Sequence, residues 1–199
     1  MMCNIERIHY FGKLRRRREF IKAAGLTRDY YYDWEVWFNK CSNTNTLLSF
    51  LNTTSKTKPV WLFVVSEGDT LKIGLTTLSS DMSERKYPFF VYVDTEKTQL
   101  NDLEKISTFI LSMAGKYEGF VNIVANGDLK IEETHYFSSY SQEYEGMNQL
   151  KVVIDDIALE VLERGFDPIM CSYWVNLEKF ITITHQGYLT CTLYNKIYG

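Results

Sequence analysis

The chain has 199 residues, of which 45% are hydrophobic and 24% are charged, and its formal net charge is −3 at pH 7. A domain of this length buries about 70% of its extended-chain surface. Its 12 Phe, 14 Tyr and 4 Trp supply core material, while only 3 prolines argue against a long disordered tail. The negative charge argues against nucleic acid as a partner, and the lack of an apolar run of about 18 residues argues against membrane insertion.

The N-terminal region combines a predicted strand at residues 5–10 with four consecutive arginines at residues 15–18. Residues 17–22 read Arg-Arg-Glu-Phe-Ile-Lys, which is similar to the basic box of a twin-arginine export signal. Such a signal requires an uninterrupted apolar segment directly behind the box. Here residues 23–26 are followed at once by Thr-Arg-Asp. We therefore expect the arginines to belong to the mature protein, either as a solvated, ion-paired patch or as a contact for an acidic partner.

An amphipathic helix is predicted at residues 29–40, because Trp34, Trp37 and Phe38 recur at helical spacing opposite polar side chains. The following residues 42–58 are rich in Asn, Thr and Ser around a short apolar cluster. That composition suits a short helix between loops.

A β-hairpin is predicted in the next part of the chain. Residues 60–66 and 71–78 are two β-rich runs separated by a Glu-Gly-Asp turn. A polar loop at residues 79–86 then leads through Pro88 into a third predicted strand at residues 89–93. Proline suits the start of a strand because its missing N–H is tolerated there.

Two further helices are predicted at residues 100–113 and 147–162, where apolar residues recur every three or four positions. Gly165 lies just past the second of them and suits a C-cap. Residues 121–145, between the two helices, are the least readable part of the chain. An Asn-Gly pair at residues 126–127 suits a tight turn there.

The C-terminal part contains predicted strands at residues 169–175 and 180–184. Residues 189–198 fit either a strand, which their β-branched content favours, or a closing helix. The order of strands, two helices and strands predicts an α/β (α+β) fold. Residues 1–199 are expected to form a single domain, with a mainly antiparallel central sheet and helices packed on its faces.

The cysteine and histidine pattern disfavours a metal site. The chain has no Cys-x-x-Cys pair and its three histidines are scattered, whereas zinc sites need clustered ligands. We predict no metal and no cofactor. The four cysteines are expected to be reduced, mostly buried thiols in the cytosol, at Cys3, Cys41, Cys171 and Cys191.

The sequence contains no recognisable catalytic motif. A glycine-rich phosphate loop, a dinucleotide fingerprint and a Gly-x-Ser-x-Gly elbow are all missing. One enzymatic alternative stays open: a small cytosolic hydrolase or transferase that uses a cysteine with a histidine, or an acidic pair at residues 132–133 or 155–156. No catalytic residue is assigned, and the pattern favours a binding or scaffolding protein.

Three separated stretches share their order and spacing with one known family. The first is Phe11-Gly12-Lys13-Leu14, followed by Gly25-Leu26 and Trp34-x-x-Trp37. The second is Pro59-Val60-Trp61-x-Phe63, followed by Ser80-Asp81, Arg85 and Tyr87-Pro88-Phe89, and the third is Ser172-Tyr173-Trp174. Together these stretches resemble the TagF (also called ImpM) family of type VI secretion accessory proteins, over nearly the whole chain.

The chain departs from the family's pattern in and around these motifs. Arg15 and Thr27 stand where the family has proline, and Glu19 stands where it has aspartate. Arg18 and Glu84 stand where it has glycine. Any left-handed backbone that glycine provides at position 18 would have to be carried by an arginine, at a cost of about 1 kcal/mol.

The resemblance implies a cytoplasmic, non-enzymatic accessory protein of the type VI secretion system. Such a protein is a post-translational negative regulator that binds the system's forkhead-associated scaffold protein (Fha). The structural motif residues that the resemblance places in this chain are Gly12, Lys13, Phe20, Trp34, Trp37, Trp61, Pro88 and Trp174. The tryptophans are expected to be core aromatics, because large aromatic side chains dominate core energetics.

Arginine and tyrosine are enriched at protein interfaces, and arginine pairs readily with acidic groups. The candidate partner-binding residues are therefore Arg15, Arg16, Arg17, Arg18, Tyr31 and Arg85. For the tyrosine run at residues 30–32, ordinary half-buried packing is an equally good interpretation.

Overall fold

The computed structural model describes residues 8–42, 58–127, 129 and 147–199. Seven β-strands in this part of the chain form one sheet. They are β1 (His9–Gly12), β2 (Ile21–Lys22), β3 (Trp61–Glu67), β4 (Thr70–Ser80), β5 (Lys86–Glu96), β6 (Cys171–Asn176) and β7 (Thr182–Gln186). The strand order is β2-β1-β5-β4-β3-β6-β7, and every neighbouring pair is antiparallel.

Five α-helices in the described ranges cover the two faces of the sheet. They are α1 (Tyr32–Ser42), α2 (Leu103–Ala114), α3 (Tyr117–Asn126), α4 (Met147–Arg164) and α5 (Cys191–Tyr198). Short 3₁₀ turns at Arg28–Tyr30 and Lys97–Gln99 precede α1 and α2. The layers confirm the predicted α/β fold with a mainly antiparallel sheet and helices on its faces. The 1–199 domain boundaries stay a prediction.

The two faces of the sheet carry chemically different cores. Side chains alternate along β3, so Leu62 and Val64 join an aliphatic core under α2, α3 and α4. Trp61, Phe63 and Val65 point the other way, into an aromatic core under α1 and α5. Because both faces are covered, the central strands read as nearly continuous apolar runs, as the sequence of residues 60–66 does.

The β3–β4 hairpin forms as predicted, with Glu67 opposite Thr70 and Gly68 in the left-handed region at φ 55°. The third strand is longer than predicted, because β5 begins at Lys86 and Pro88 already pairs with Leu78. The helix predicted at residues 42–58 falls mainly on residues outside the described ranges.

One prediction about local structure needs correction, and one open alternative is decided. The Asn-Gly pair at residues 126–127 does not close a tight turn but ends α3, with Gly127 as a left-handed C-cap at φ 69°. The C-terminal segment is helix α5 and not a strand. Thr190 caps that helix by accepting a hydrogen bond from the N–H of Leu193 at 3.2 Å, and Tyr194 and Ile197 are buried with Leu193 on its inner face.

The expectation of isolated cysteines is wrong for Cys41 and Cys191, whereas Cys3 lies outside the described residues. Cys41, near the end of α1, forms a disulfide with Cys191, the first residue of α5, although 150 residues separate them in sequence. Both helices pack on the same face of the sheet, and this brings the two Cα atoms to 5.1 Å. Cys171 is a free thiol buried in β6.

Candidate functional site

The motif residues of the first and second stretches meet at the loop between β4 and β5, residues 81–85, here called the Asp81 loop. Its centre is the Asp81 carboxylate, whose side chain is 0% exposed. One oxygen, Oδ1, accepts hydrogen bonds from the backbone N–H groups of Ser83 at 2.8 Å and Arg85 at 3.0 Å. The other, Oδ2, accepts from Arg85 Nε at 2.8 Å and from Lys13 Nζ at 3.0 Å. A single side chain thus closes the loop and ties it to the segment behind β1.

Electrostatics keep Asp81 ionised despite its burial. Burial alone would raise the pKa of this carboxyl group, but the hydrogen bonds from Lys13 and Arg85 outweigh it and hold the pKa well below its usual range. The Lys13 ammonium also lies 5.8 Å from the ring centroid of Tyr87. The buried negative charge is therefore paired on several sides, as such a charge must be.

The backbone geometry at position 12 explains why the Phe-Gly-Lys-Leu motif has a glycine there. It pairs with Phe89 across the sheet and adopts φ 133°. A Cβ at this position would lie 2.3 Å from the carbonyl oxygen of Pro88, far inside van der Waals contact. Glycine therefore allows β1 to approach β5 closely enough to place Lys13 beside Asp81.

One departure from the pattern of the resembled family lies in the Asp81 loop. Glu84, where the family has glycine, adopts the left-handed φ of 59°. The other described non-glycine residue with such a φ is Phe180, so Arg18 carries no left-handed strain. Of positions 18 and 84, where the family pattern has glycine, only position 84 has a strained, left-handed backbone.

We expect Glu84→Gly to raise the free energy of unfolding by about 0.5 to 1 kcal/mol. Removing the Cβ relieves strain in the folded state, and this gain in free energy exceeds the cost of the greater entropy that glycine gives the unfolded chain. Urea denaturation measures the change. Glu84→Ala is the matched control, since it removes the charge and keeps the Cβ, and it should leave stability nearly unchanged. A glycine variant no more stable than the alanine variant would show that the strain is negligible.

The four arginines form a loop at residues 15–18, here called the arginine loop, whose backbone is anchored at several points. The N–H of Arg16 donates to the carbonyl of Gly127 at the end of α3, at 2.9 Å. The carbonyl of Arg17 accepts from the N–H of Met82 in the Asp81 loop, at 3.3 Å. Leu14, just before the loop, is 0% exposed in the aliphatic core. The four arginine side chains are all exposed, so the loop places four guanidinium groups at the protein surface.

The other two candidate partner-binding residues are less available. Arg85 is 64% exposed, but its guanidinium is engaged with Asp81. Tyr31 is only 8% exposed, and its ring packs against Phe11 and Phe20 with centroid distances of 5.6 Å each. Tyr31 therefore belongs to the aromatic core, which is the alternative interpretation of the tyrosine run. All four tryptophans are buried, as expected for core aromatics, at Trp34, Trp37, Trp61 and Trp174.

Several residues named for the enzymatic alternative have structural partners or are buried in the described part of the chain. Cys41 and Cys191 are joined to each other, and Cys171 is buried. Asp155 accepts from Ser107 Oγ at 2.7 Å and pairs with Lys151, while Asp156 is exposed. The pair at residues 132–133 and His135 lie outside the described residues.

Residues 8–42, 58–127, 129 and 147–199 contain no group of three or more His, Cys, Asp or Glu side chains arranged to hold a metal ion. None of the helices in these ranges combines the length and the apolar character that crossing a bilayer requires.

Sequence reasoning placed Asp81 in a motif but not in the site. The only local signal for an ion pair is the spacing of four residues between Asp81 and Arg85. Nothing in the local sequence indicates that Lys13, 68 residues away, also binds the Asp81 carboxylate. The arginine loop was found from composition alone. Its anchoring to Gly127 joins residues that are more than a hundred positions apart, so it had no signal in the local sequence.

The fold is similar to that in the crystal structure of PA0076 from Pseudomonas aeruginosa PAO1, with a TM-score of 0.61 over 96% of this chain and 94% of that chain. The two sequences are 15% identical, so this likeness concerns the fold. No curated protein matches the sequence at a significant level.

The family profile described as the TagF N-terminal domain, type VI secretion system-associated, matches residues 9–116. The match runs from β1 to just beyond α2 and includes the arginine loop together with Lys13, Asp81 and Arg85. It confirms the resemblance to the TagF family and covers the first and second sequence stretches, whereas the third stretch, residues 172–174, lies beyond the matched residues. The chain therefore belongs to the family of type VI secretion system-associated proteins that carry the TagF N-terminal domain.

Proposed function

We propose that this protein is a non-catalytic, cytoplasmic regulator that represses type VI secretion after translation by binding the forkhead-associated scaffold protein Fha. The observation that supports the proposal is the arginine loop, a set of exposed cations on a backbone held by the Asp81 loop and by the end of α3. A backbone that is already held in place loses little further freedom on binding. Four positive side chains on it favour an acidic protein surface as the partner.

Repression in this proposal is stoichiometric. Scaffold held in the complex is withheld from assembly of the secretion apparatus, so the silenced fraction depends on the affinity and on the concentrations of the two proteins. No covalent step is required.

We expect Arg16→Glu/Arg18→Glu to weaken the complex with the cognate Fha scaffold by about tenfold or more, because like charges would face the acidic surface. Both side chains are exposed, and the loop is held through backbone atoms, so the melting temperature should not change. Co-purification and isothermal titration at low and moderate salt measure the effect.

The matched control is Lys179→Glu/Lys196→Glu, which changes the net charge by the same amount at exposed positions beyond β6 and on α5. This variant should bind as the wild type does. Failure of the wild-type protein to form the complex at either salt concentration would overturn the proposed partner. Equal losses in both variants would show an effect of net charge and not of the arginine loop.

A further inference from the structure

A pocket of about 290 Å³ lies beside the arginine loop, between β4, the residues just before β3 and the last turns of α3. Its apolar wall is formed by Val60, Leu78, Val121, Val124 and Ala125. Its cationic lining consists of Arg15, Lys58 and Lys86, with the hydroxyl side chains of Thr77, Ser79 and Ser80 between them. The pocket therefore combines an apolar interior with positive charge from three separate segments of the chain.

The side chains described around this pocket carry a net positive charge. None of the described residues that line it is an aspartate or a glutamate. The pKa of Lys58 is lowered, first by burial and then by the nearby positive charge of Lys86. Each positive charge makes the charged form of the other lysine less favourable, so a bound anion would stabilise the charged forms of both. The concentration of cations also contrasts with the chain's net charge of −3.

The backbone holds these cations in place. Thr77 Oγ1 donates to the carbonyl of Pro59 at 2.9 Å, which fixes the segment that carries Lys58 against β4. Gly127 lies against Arg15 so closely that a Cβ on the glycine would be 2.8 Å from the arginine Cβ. Lys86 is the first residue of β5 and pairs with Ser80. The pocket is thus largely formed before any ligand arrives.

Its composition favours a peptide over a nucleotide or a nucleic acid. None of the described lining residues is aromatic, whereas proteins that bind single-stranded nucleic acid stack bases on aromatic side chains. The volume of about 290 Å³ lies just below the range of about 300 to 1,000 Å³ for small-ligand pockets, and it suits the insertion of one side chain. Cations around an apolar interior suit an apolar side chain flanked by carboxylates.

We propose that this pocket binds an acidic peptide segment of the partner protein, with one apolar side chain between β4 and α3 and carboxylates on Arg15, Lys58 and Lys86. The inference rests on the proposed function, because it assigns the partner's contact beside the arginine loop. It adds Lys58 and Lys86, which no sequence motif singled out, to the binding surface.

The test uses the full-length protein and a fluorescein-labelled synthetic peptide, Asp-Glu-Asp-Leu-Glu-Asp-Glu, with fluorescence anisotropy as the readout. We expect saturable binding that falls about tenfold or more in Lys58→Glu/Lys86→Glu and also falls in Lys58→Gln/Lys86→Gln, which removes charge without reversing it. A peptide with serine in place of leucine should bind more weakly to the wild type. Lys179→Glu/Lys196→Glu should bind the original peptide normally.

The outcomes separate this inference from the proposed function. No binding of the peptide, or equal binding to the wild type and Lys58→Gln/Lys86→Gln, would overturn the peptide pocket even if the Fha complex forms. Peptide binding that depends on Lys58 and Lys86 supports the pocket even if no Fha complex is found, in which case the proposed partner is wrong. Full displacement of the peptide by oligothymidylate of equal total charge would overturn the assignment to a peptide.

Discussion

Replacing Asp81 with asparagine is expected to lower the free energy of unfolding by about 3 kcal/mol. Asparagine keeps the shape of the side chain and one carbonyl oxygen for the N–H groups of Ser83 and Arg85. Its amide NH₂ would then face Lys13 Nζ and Arg85 Nε, which are also donors. The buried site would lose its negative charge and its acceptor at once. Urea denaturation at neutral pH measures the difference.

Asp156→Asn on α4 is the matched control, because Asp156 is exposed, and it should change stability by less than about 0.5 kcal/mol. If Asp81→Asn changed the free energy of unfolding as little as this control does, the stability of the Asp81 loop would not depend on the carboxylate. A less ordered Asp81 loop should also weaken the hydrogen bond from the N–H of Met82 to the carbonyl of Arg17, and with it the position of the arginine loop. We therefore expect weaker Fha binding by Asp81→Asn even at temperatures where the variant is folded.

The pH dependence follows from the direction of the Asp81 pKa shift. The pKa is lowered in the folded protein, so Asp81 stabilises the fold fully above its unfolded-state pKa of about 3.9. That contribution is lost as the pH falls through the folded-state pKa. The stability difference between the wild type and Asp81→Asn should therefore be constant near neutral pH and should shrink below about pH 4.

Opening the Cys41–Cys191 disulfide is expected to lower the free energy of unfolding by about 2 to 5 kcal/mol and the melting temperature by about 5 to 15 °C. The cause is the separation of 150 residues, which makes the cross-link a strong restriction on the unfolded chain. Calorimetry with and without a reductant measures the effect. Cys191→Ser should unfold at the same temperature under both conditions, near that of the reduced wild type.

Thiol counting provides the independent check on this disulfide. Oxidised protein, denatured without reductant, should titrate as two thiols, Cys3 and Cys171, because Cys41 and Cys191 are joined. Four thiols would show that no disulfide had formed. The proposed cytoplasmic location favours the reduced form in the cell. The helices should stay docked there, because Trp37 Nε1 donates to the carbonyl of Thr190 at 2.7 Å and the Trp37 ring packs against Tyr194 at 5.6 Å.

Much of the fold was predictable from local patterns. The β3–β4 hairpin, α2 and α4 were found because a side-chain period of two or of about 3.6 residues is visible within one short segment. The buried tryptophans followed from the large apolar area of each ring. Family membership followed from three motifs whose spacing the fold must preserve, and the family profile over residues 9–116 confirms it.

The candidate site was predictable only in part. A run of four arginines is visible in composition, and the exposure of all four side chains agrees with the expectation of a surface patch. The burial of Tyr31 was undecided, because a tyrosine run fits a surface and a core equally well until its neighbours are known. Lys58 and Lys86 gave no signal, since a single lysine beside a strand is common on any surface.

The sequence by itself therefore determined the type of most elements, the layered α/β class and the family. Only the tertiary structure decided which distant residues meet: Cys41 with Cys191, Lys13 with Asp81, and the arginine loop with the end of α3. The reason is physical. Local backbone preference and side-chain periodicity act over a few residues, whereas these contacts depend on the order of strands in the sheet and on which face each helix covers.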